Sequence, residues 1–368
     1  MKKILRIISF ILCLAMIFLI AGCASFKKDK AEVALVTDVS DIDDRSYNQY
    51  AWEGIKKYCE ENHITYNFYR PEFKKTENIA EAIEYAVDNG AKIIVCPNES
   101  QADAVAQEQK KHSDVRFLFL NGVLPEVMSN TYQVNFSEVE IGFLAGYTAV
   151  KEGYRVLGFQ GGVKNAKNEN YGFGFIEGAQ FAAYELGLET GGVTIKYNYA
   201  NTSGNSPDTQ ARAQVWYESG TQVIFASERG PLASVICVAE GGPNRAVIGC
   251  NLDRSKLSPS VITTSKKMIE DVVYNTLKDF YDNKFKGGEA VVLGCKENGI
   301  DIELKNSRLK NFNYKDSEHI KYMLANNVDS IKDYMVTSDM VTDIPLETTS
   351  DFAALFPEMN IIVEYITT

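Results

Sequence analysis

The run "AKIIVCPNESQADAVAQEQKKHSDVRFLFL", Ala91 to Leu120, settles the class of fold. Lys92-Ile-Ile-Val-Cys96 is a short apolar run closed by Pro97, and it reads as a buried strand. Gln101 to His112 reads as a helix, and Val115-Arg-Phe-Leu-Phe-Leu120 is a second apolar strand. Strand, helix, strand with this spacing makes a right-handed crossover in a parallel sheet.

The same unit extends in both directions. Upstream lie a strand at Val33 to Thr37, an amphipathic helix from Ser46 to Asn62, a strand at Tyr66 to Tyr69 and a helix from Glu77 to Asn89 stopped by Gly90. Ser46 is placed to cap its helix, with Gln49 three residues on. After Gly153 the series restarts. Strands at Arg155–Phe159, Val193–Tyr199, Val223–Ala226 and Arg245–Gly249 alternate with helices at Asn170–Leu186, Asp208–Glu218 and Gly230–Ala239. A helix from Met268 to Phe285, late strands at Ala290–Gly294 and Ile300–Leu304, and a last helix from Asp316 to Met335 follow. The tail from Thr337 is weakly patterned. Two βα series predict an α/β protein with two doubly wound parallel-sheet lobes. No low-complexity linker divides them, so several chain crossings are expected.

The N-terminus reads as a leader. Lys2, Lys3 and Arg6 precede an apolar run from Ile7 to Ile20, which ends in Ile20-Ala21-Gly22-Cys23. This predicts a lipoprotein signal peptide over residues 1–22, a diacylglyceryl anchor on Cys23 and a polar tether over 23–31. The expected location is the outer face of a bacterial cytoplasmic membrane, held by lipid. That location and a net charge of −11 speak against nucleic-acid partners. Cys59, Cys96, Cys237, Cys250 and Cys295 show no CxxC spacing and read as buried free thiols. His63, His112 and His319 are scattered, which predicts no histidine-based metal site or triad. No cofactor is expected.

In open parallel sheets, ligands sit beyond the carboxyl ends of the strands. Those positions carry Asp38, Asp41, Asp43, Asp44 and Tyr47, then Asn98-Glu99-Ser100 and Asn121-Gly122. In the second series they carry Gly161-Gly162 leading to Tyr171-Gly-Phe173-Gly-Phe175, then Ser227-Glu228-Arg229-Gly230, Asn251-Leu-Asp253 and Val261 to Lys267. Three chemistries fit such a list. The acids could gather a hard cation, although the alternation of an EF-hand loop is absent. Two carboxylates could act as a glycosidase pair. A cleft could hold a flat polar ligand between aromatic rings. GxSxG, GxxxxGK[ST] and HExxH are all absent.

"VALVTDVSDIDDRSYNQYAWEGI" resembles the opening of the basic membrane protein family of ABC-transporter substrate-binding lipoproteins, V-D-x-G-x-x-[ND]-D-x-S-F-N-Q-x-x-W-x-G. "VNFSEVEIGFLAGYTA", "VLGFQGG", "YGFGFIEGA", "VIGCNLD" and "VITTSKKMIEDVVY" continue it in order, from about Val33 to about Gly294. The resemblance implies a type I periplasmic-binding-protein fold. The N-terminal lobe would hold 32–152 plus about 264–295, and the C-terminal lobe and tail would hold 153–263 plus about 296–368. It implies a monomeric receptor, not an enzyme, that passes a purine nucleoside to ABC permease subunits. The base would lie between Tyr47 and Tyr171, with Phe175 as the next candidate ring. Asp38, Asn48 and Lys267 occupy family ligand positions. Asn121 and Asn251 stand where the family has Asp, and the turn holding Glu228 is also distinctive. These departures keep open a sugar or a nucleobase as ligand, and a secreted nucleoside hydrolase remains the alternative from another class.

Overall fold

The computed structural model describes residues 30–341, 346–356 and 360–367, so the leader, Cys23 and the tether through residue 29 lie outside them. The first lobe is built from β1 (Val33–Val36), α1 (Tyr47–Asn62), β2 (Tyr66–Tyr69), α2 (Thr76–Asp88), β3 (Ile93–Cys96), α3 (Ala102–Lys111), β4 (Arg116–Leu120) and β5 (Thr131–Phe136). Helix α4 (Glu138–Glu152) leads to the second series: β6 (Val156–Gly161), α5 (Ala166–Glu185), β7 (Val193–Tyr199), α6 (Pro207–Glu218), β8 (Val223–Ala226), α7 (Arg229–Ala239), β9 (Ala246–Asn251) and β10 (Val261–Lys267). The remainder is α8 (Ile269–Tyr281), β11 (Ala290–Leu293), β12 (Ile300–Ile302), α9 (Tyr314–Ala325), α10 (Thr349–Leu355) and β13 (Ile361–Tyr365).

One sheet runs β11-β5-β4-β3-β1-β2, with every pairing parallel. The other runs β12-β10-β9-β8-β6-β7-β13 and is parallel except for β12 against β10. The central strands β1, β3, β8 and β9 are buried along their whole length, as continuous apolar runs covered by helices on both faces must be.

The lobe boundaries differ from expectation in two places. Helix α4 follows a first-lobe strand, yet it packs on α5 and on strands of the second sheet. Strand β10 stays paired with β9 as far as Lys266 opposite Asn251, so the chain crosses at Met268 rather than near 264. The first turn of α4 ties the three crossings together. Glu138 lies 3.6 Å from Lys267, Ser265 donates to the Ile141 carbonyl (2.7 Å), and Glu140 accepts from the Cys295 backbone N–H (2.8 Å).

Sequence periodicity also misplaces several local features. Strand β5 and helix α4 escape it, because β5 carries Thr131, Gln133 and Asn135 and α4 is buried nearly all round. Ser46 sits at the N-cap of α1 but makes no side-chain cap. Asp44 caps instead, accepting from the Ser46 and Gln49 backbone N–H groups (2.7 and 3.3 Å). The last long helix ends at Ala325, after which Asn327, Asp329 and Ser330 take positive φ. Of the five described cysteines, Cys237 is exposed and the other four are buried free thiols.

Helices α4 and α5 approach closely enough that backbone touches backbone. A Cβ on Gly142 would stand 2.1 Å from the Tyr171 carbonyl oxygen, and one on Gly146 would stand 2.0 Å from that of Phe175. Reciprocally, a Cβ on Gly174 would meet the Val139 carbonyl at 1.9 Å, and one on Gly178 that of Phe143 at 2.0 Å. Each helix thus presents two glycines one turn apart to the other. Gly146→Ala is expected to destabilise the protein by about 1–3 kcal/mol or more, because fixed backbone cannot yield to an added methyl. A urea midpoint equal to that of the parent would contradict this packing.

The tail is held by polar side chains of α5 as well as by the burial of Phe352, Phe356, Ile361 and Val363. Asn170, Glu177 and Gln180 accept from the backbone N–H groups of Ser338, Val336 and Asn360 (2.8, 2.6 and 2.8 Å), and β13 then pairs with β7. The second oxygen of Glu177 is buried without a partner, and burial pushes the carboxyl up to about 8. The unfolded chain sheds this proton near its ordinary pKa of about 4.3. Between there and about pH 8 the native state holds more protons, so stability falls as pH rises. Glu177→Gln is therefore expected to be more stable than the parent at pH 8, by on the order of 1–3 kcal/mol, with the difference closing towards pH 4. Denaturant titrations at the two pH values measure it, and a pH-independent difference would refute it.

Candidate functional site

The first-lobe wall of the cleft is a chain of hydrogen bonds across strand ends. Asp38, just beyond β1, accepts through one oxygen from the Ser40 backbone N–H and from the Asn48 side-chain amide (both 2.8 Å). Asn48 is fully buried, and its own oxygen accepts from the Asn98 amide (2.7 Å) beyond β3. Gln101 braces the row from beneath, donating to the Val36 and Thr37 carbonyls (2.7 and 3.1 Å). The second oxygen of Asp38 makes no hydrogen bond among the described residues. Tyr47 opens α1 beside this row and is only partly buried.

Beyond β4, Asn121 sits at φ 62°, a left-handed conformation that Asn tolerates better than most side chains. Its amide donates to the Pro97 carbonyl (3.0 Å), and its oxygen accepts from the Lys267 ammonium (2.9 Å). An Asp at this position could accept from Lys267 but could not donate to Pro97. Lys267 itself is buried, 5.3 Å from the Phe136 ring centroid and 5.7 Å from that of Tyr47. It belongs to the second sheet by backbone and to the first lobe by side chain.

The second-lobe wall is organised by Asn168, in the first turn of α5. Its amide donates to the Glu228 carboxylate (2.6 Å) and the Val163 carbonyl (2.8 Å), and its oxygen accepts from the Ser227 hydroxyl (2.6 Å). Gly162 leaves room for this carboxylate, because a Cβ there would stand 2.1 Å from a Glu228 oxygen and displace it. Asn251, the last residue of β9 at φ 70°, accepts from the Tyr171 hydroxyl (2.6 Å).

Cations of the second lobe face acids and phenols of the first. Lys167 enters between the lobes. Its ammonium is held above the usual lysine range first by Tyr47, then by Glu138, Glu99 and Glu228, against the cost of burial. Arg254 is nearly buried, and desolvation draws it below the usual arginine range. It donates to the Arg45 carbonyl of the first lobe (2.6 Å), while the Tyr50 hydroxyl reaches the Asp253 carbonyl (3.4 Å).

The residues singled out from sequence fall into three groups. Asp38, Tyr47, Asn48, Asn121 and Lys267 come together on one side of the cleft, and Glu228 and Asn251 lie on the other. Tyr171 donates to Asn251 with its ring fully buried, and its hydroxyl is near enough to Glu138 and Tyr47 for both to add to the upward push of burial on its pKa. Phe175 does not join the site. It is buried against Phe225 (5.3 Å, stacked) and Phe159 (6.2 Å), in the core of the second lobe. Asp41 turns to Arg70 (2.9 Å) and Asp44 to the start of α1, so the opening acids diverge rather than converge on one ion. Lys167, Asn168 and Arg254 carry no motif that marks them in the sequence. The Asn165-x-x-Asn168 pair is the single local hint, since Asn165 caps α5 through the Asn168 backbone N–H (3.0 Å).

Two lobes with parallel sheets facing across a polar cleft are the type I periplasmic-binding-protein fold. Solved structures with this architecture include an ABC transporter solute-binding protein from Aeropyrum pernix K1 (TM-score 0.64, 17% identity, 88% of this chain and 99% of that one). Another comes from Conexibacter woesei DSM 14684 (TM-score 0.64, 16% identity, 82% and 97%). The chain belongs to the Bmp family, ABC transporter substrate-binding protein PnrA-like, which it matches over residues 31–333. Its relatives include Basic membrane protein D of Borreliella burgdorferi strain JD1, 26% identical over 331 residues (85% of this chain, 92% of the relative). They also include the ABC transporter nucleoside-binding protein BmpA of Lactococcus lactis subsp. cremoris strain MG1363, 26% identical over 335 residues (83% and 93%). The family is one of transport receptors, not enzymes. No helix among the described residues is long and apolar enough to cross a membrane.

Removing the Asn168 side chain is expected to cost about 1–3 kcal/mol of stability, because it strands Ser227 and Glu228 together. Chemical denaturation of Asn168→Ala measures this, and an unchanged midpoint would show that Asn168 does not organise the wall.

Proposed function

We propose that this protein is an extracytoplasmic receptor, anchored by lipid on Cys23, that binds a purine nucleoside in the interlobe cleft and delivers it to ABC permease subunits. The observation that carries the reading is the pairing of Tyr47 with Asp38. A partly open ring stands beside a carboxylate whose second oxygen is uncommitted. The ring offers a stacking face to the base, and the oxygen accepts a ribose hydroxyl. Asn121 and Asn251 each keep amide hydrogen for ligand acceptors, and Lys167 brings a charge from the opposite lobe. A ligand touching both walls stabilises the closed arrangement, since only differential affinity moves such an equilibrium. The name of the Lactococcus relative points the same way.

One observation favours a second reading. With Tyr171 and Phe175 both buried, Tyr47 is the one ring among the named candidates that opens on the cleft. A single ring with carboxylates and amides also suits a sugar. Calorimetry with adenosine, guanosine, inosine, free nucleobases and pentoses separates the two. Nucleosides are expected to bind, with Tyr47→Ala weakening them by about 1–3 kcal/mol. Binding of a pentose but no nucleoside would overturn the first reading, and an unchanged affinity in Tyr47→Ala would remove the ring from the site.

A further inference from the structure

We infer that Glu84, Glu108 and His112 form a binding site for a divalent transition cation of the zinc type, on the first lobe and away from the cleft. Helices α2 and α3 begin near the carboxyl ends of their strands and run back, so their last turns lie at the opposite pole. Glu108 and His112 are one turn apart at the end of α3 and share a face. Glu84 faces them from α2.

The geometry is that of a ligand set, not of a finished ion-pair network. The Glu108 side chain is completely buried. One of its oxygens accepts from Lys111 (2.6 Å). The other has no hydrogen-bond partner, and neither has His112 Nε2, although the two are only 3.3 Å apart. His112 Nε2 is 3.7 Å from a Glu84 oxygen, and one ligand atom from each of the three lies within 4.8 Å of the others. Ligands about 2.0–2.2 Å from a tetrahedral ion are separated by about 3.3–3.6 Å. The 3.3 and 3.7 Å spacings are close to such edges. Two unpartnered buried atoms that face each other at this distance are matched by a cation between them.

The donor set selects the ion. Calcium wants six to eight oxygens and magnesium an octahedron, whereas one imidazole with two carboxylates suits zinc and its neighbours. Lys111 opposes a dication, because its ammonium is also 3.4 Å from Glu84. It is half exposed and free to swing outward, and Glu84 is half exposed as well, which leaves open positions for water. The histidines are scattered in sequence, but one of them is brought to two acids by the packing of α2 on α3.

Metal-stripped full-length protein is titrated with Co²⁺, followed by its visible absorption, and with Zn²⁺ by calorimetry. One equivalent is expected to bind and to raise the melting temperature. His112→Ala and Glu84→Gln are expected to weaken binding at least about tenfold, and Lys111→Gln to tighten it. Glu84→Gln alters a half-exposed residue, so it remains informative if changes nearer the core fail to fold. The ligand affinity of the cleft is expected to stay unchanged. Absence of a stoichiometric site, or uptake insensitive to both His112→Ala and Glu84→Gln, would overturn the inference. The cluster would then be an ion-pair network, and any ion would sit elsewhere, as on the exposed Cys237.

Discussion

The contact between α4 and α5 is the constraint on which the rest depends. Four glycines bring two helix backbones together where no side chain fits. That closeness fixes the rotation of α5 about its axis. It seats Phe175 in the core, sets the Tyr171 hydroxyl beneath Asn251, and carries Asn168 to the mouth of the second sheet. The polar wall of the second lobe is therefore positioned by an apolar, side-chain-free contact more than a turn away. A looser crossing with alanines would leave the same residues in the sequence and a different wall in space.

The cleft itself is economical in free polar atoms. Most of its amides are spent on the protein: Asn48 on Asp38 and Asn98, Asn121 on Pro97 and Lys267, Asn168 on Glu228 and Ser227. Such networks fix orientation, because each buried polar group is costly unless it is satisfied. On the proposed function, the groups left for a ligand are a short set: an oxygen of Asp38, the Tyr47 ring, spare amide hydrogens and the charge of Lys167. Selectivity in such a site rests on few contacts held rigidly.

Much of this was legible in the sequence. The strands that read as continuous apolar runs are the buried centres of both sheets, and Asp38, Asn98 and Asn121 follow close after three of them. Tyr47 was legible because it begins a helix directly after a polar loop. Other features were not. Tyr171 and Phe175 are one helical turn apart, so both face inward, and no pattern in the sequence says how far the helix is rotated. Asn168 meets Glu228 across sixty positions of chain, a separation set by successive strand–helix units rather than by local spacing. Helix α4 lacked an amphipathic signature because nearly every face of it is covered. The departures at Asn121 and Asn251 looked like a change of ligand. The structure adds a reason of its own, since both occupy left-handed backbone and Asn121 must donate to a carbonyl.

The placement of α4 has a mechanical consequence. Through Glu138, Glu140 and the Ile141 carbonyl, its first turn holds the second and third crossings as well as continuing the first. Three strands of chain that leave one body for the other are thus gripped at a single height. They cannot slide past one another independently. Any relative motion of the lobes therefore has to bend the chain at that grip, where Lys267 meets Glu138, and opening them breaks the Arg45–Arg254 contact.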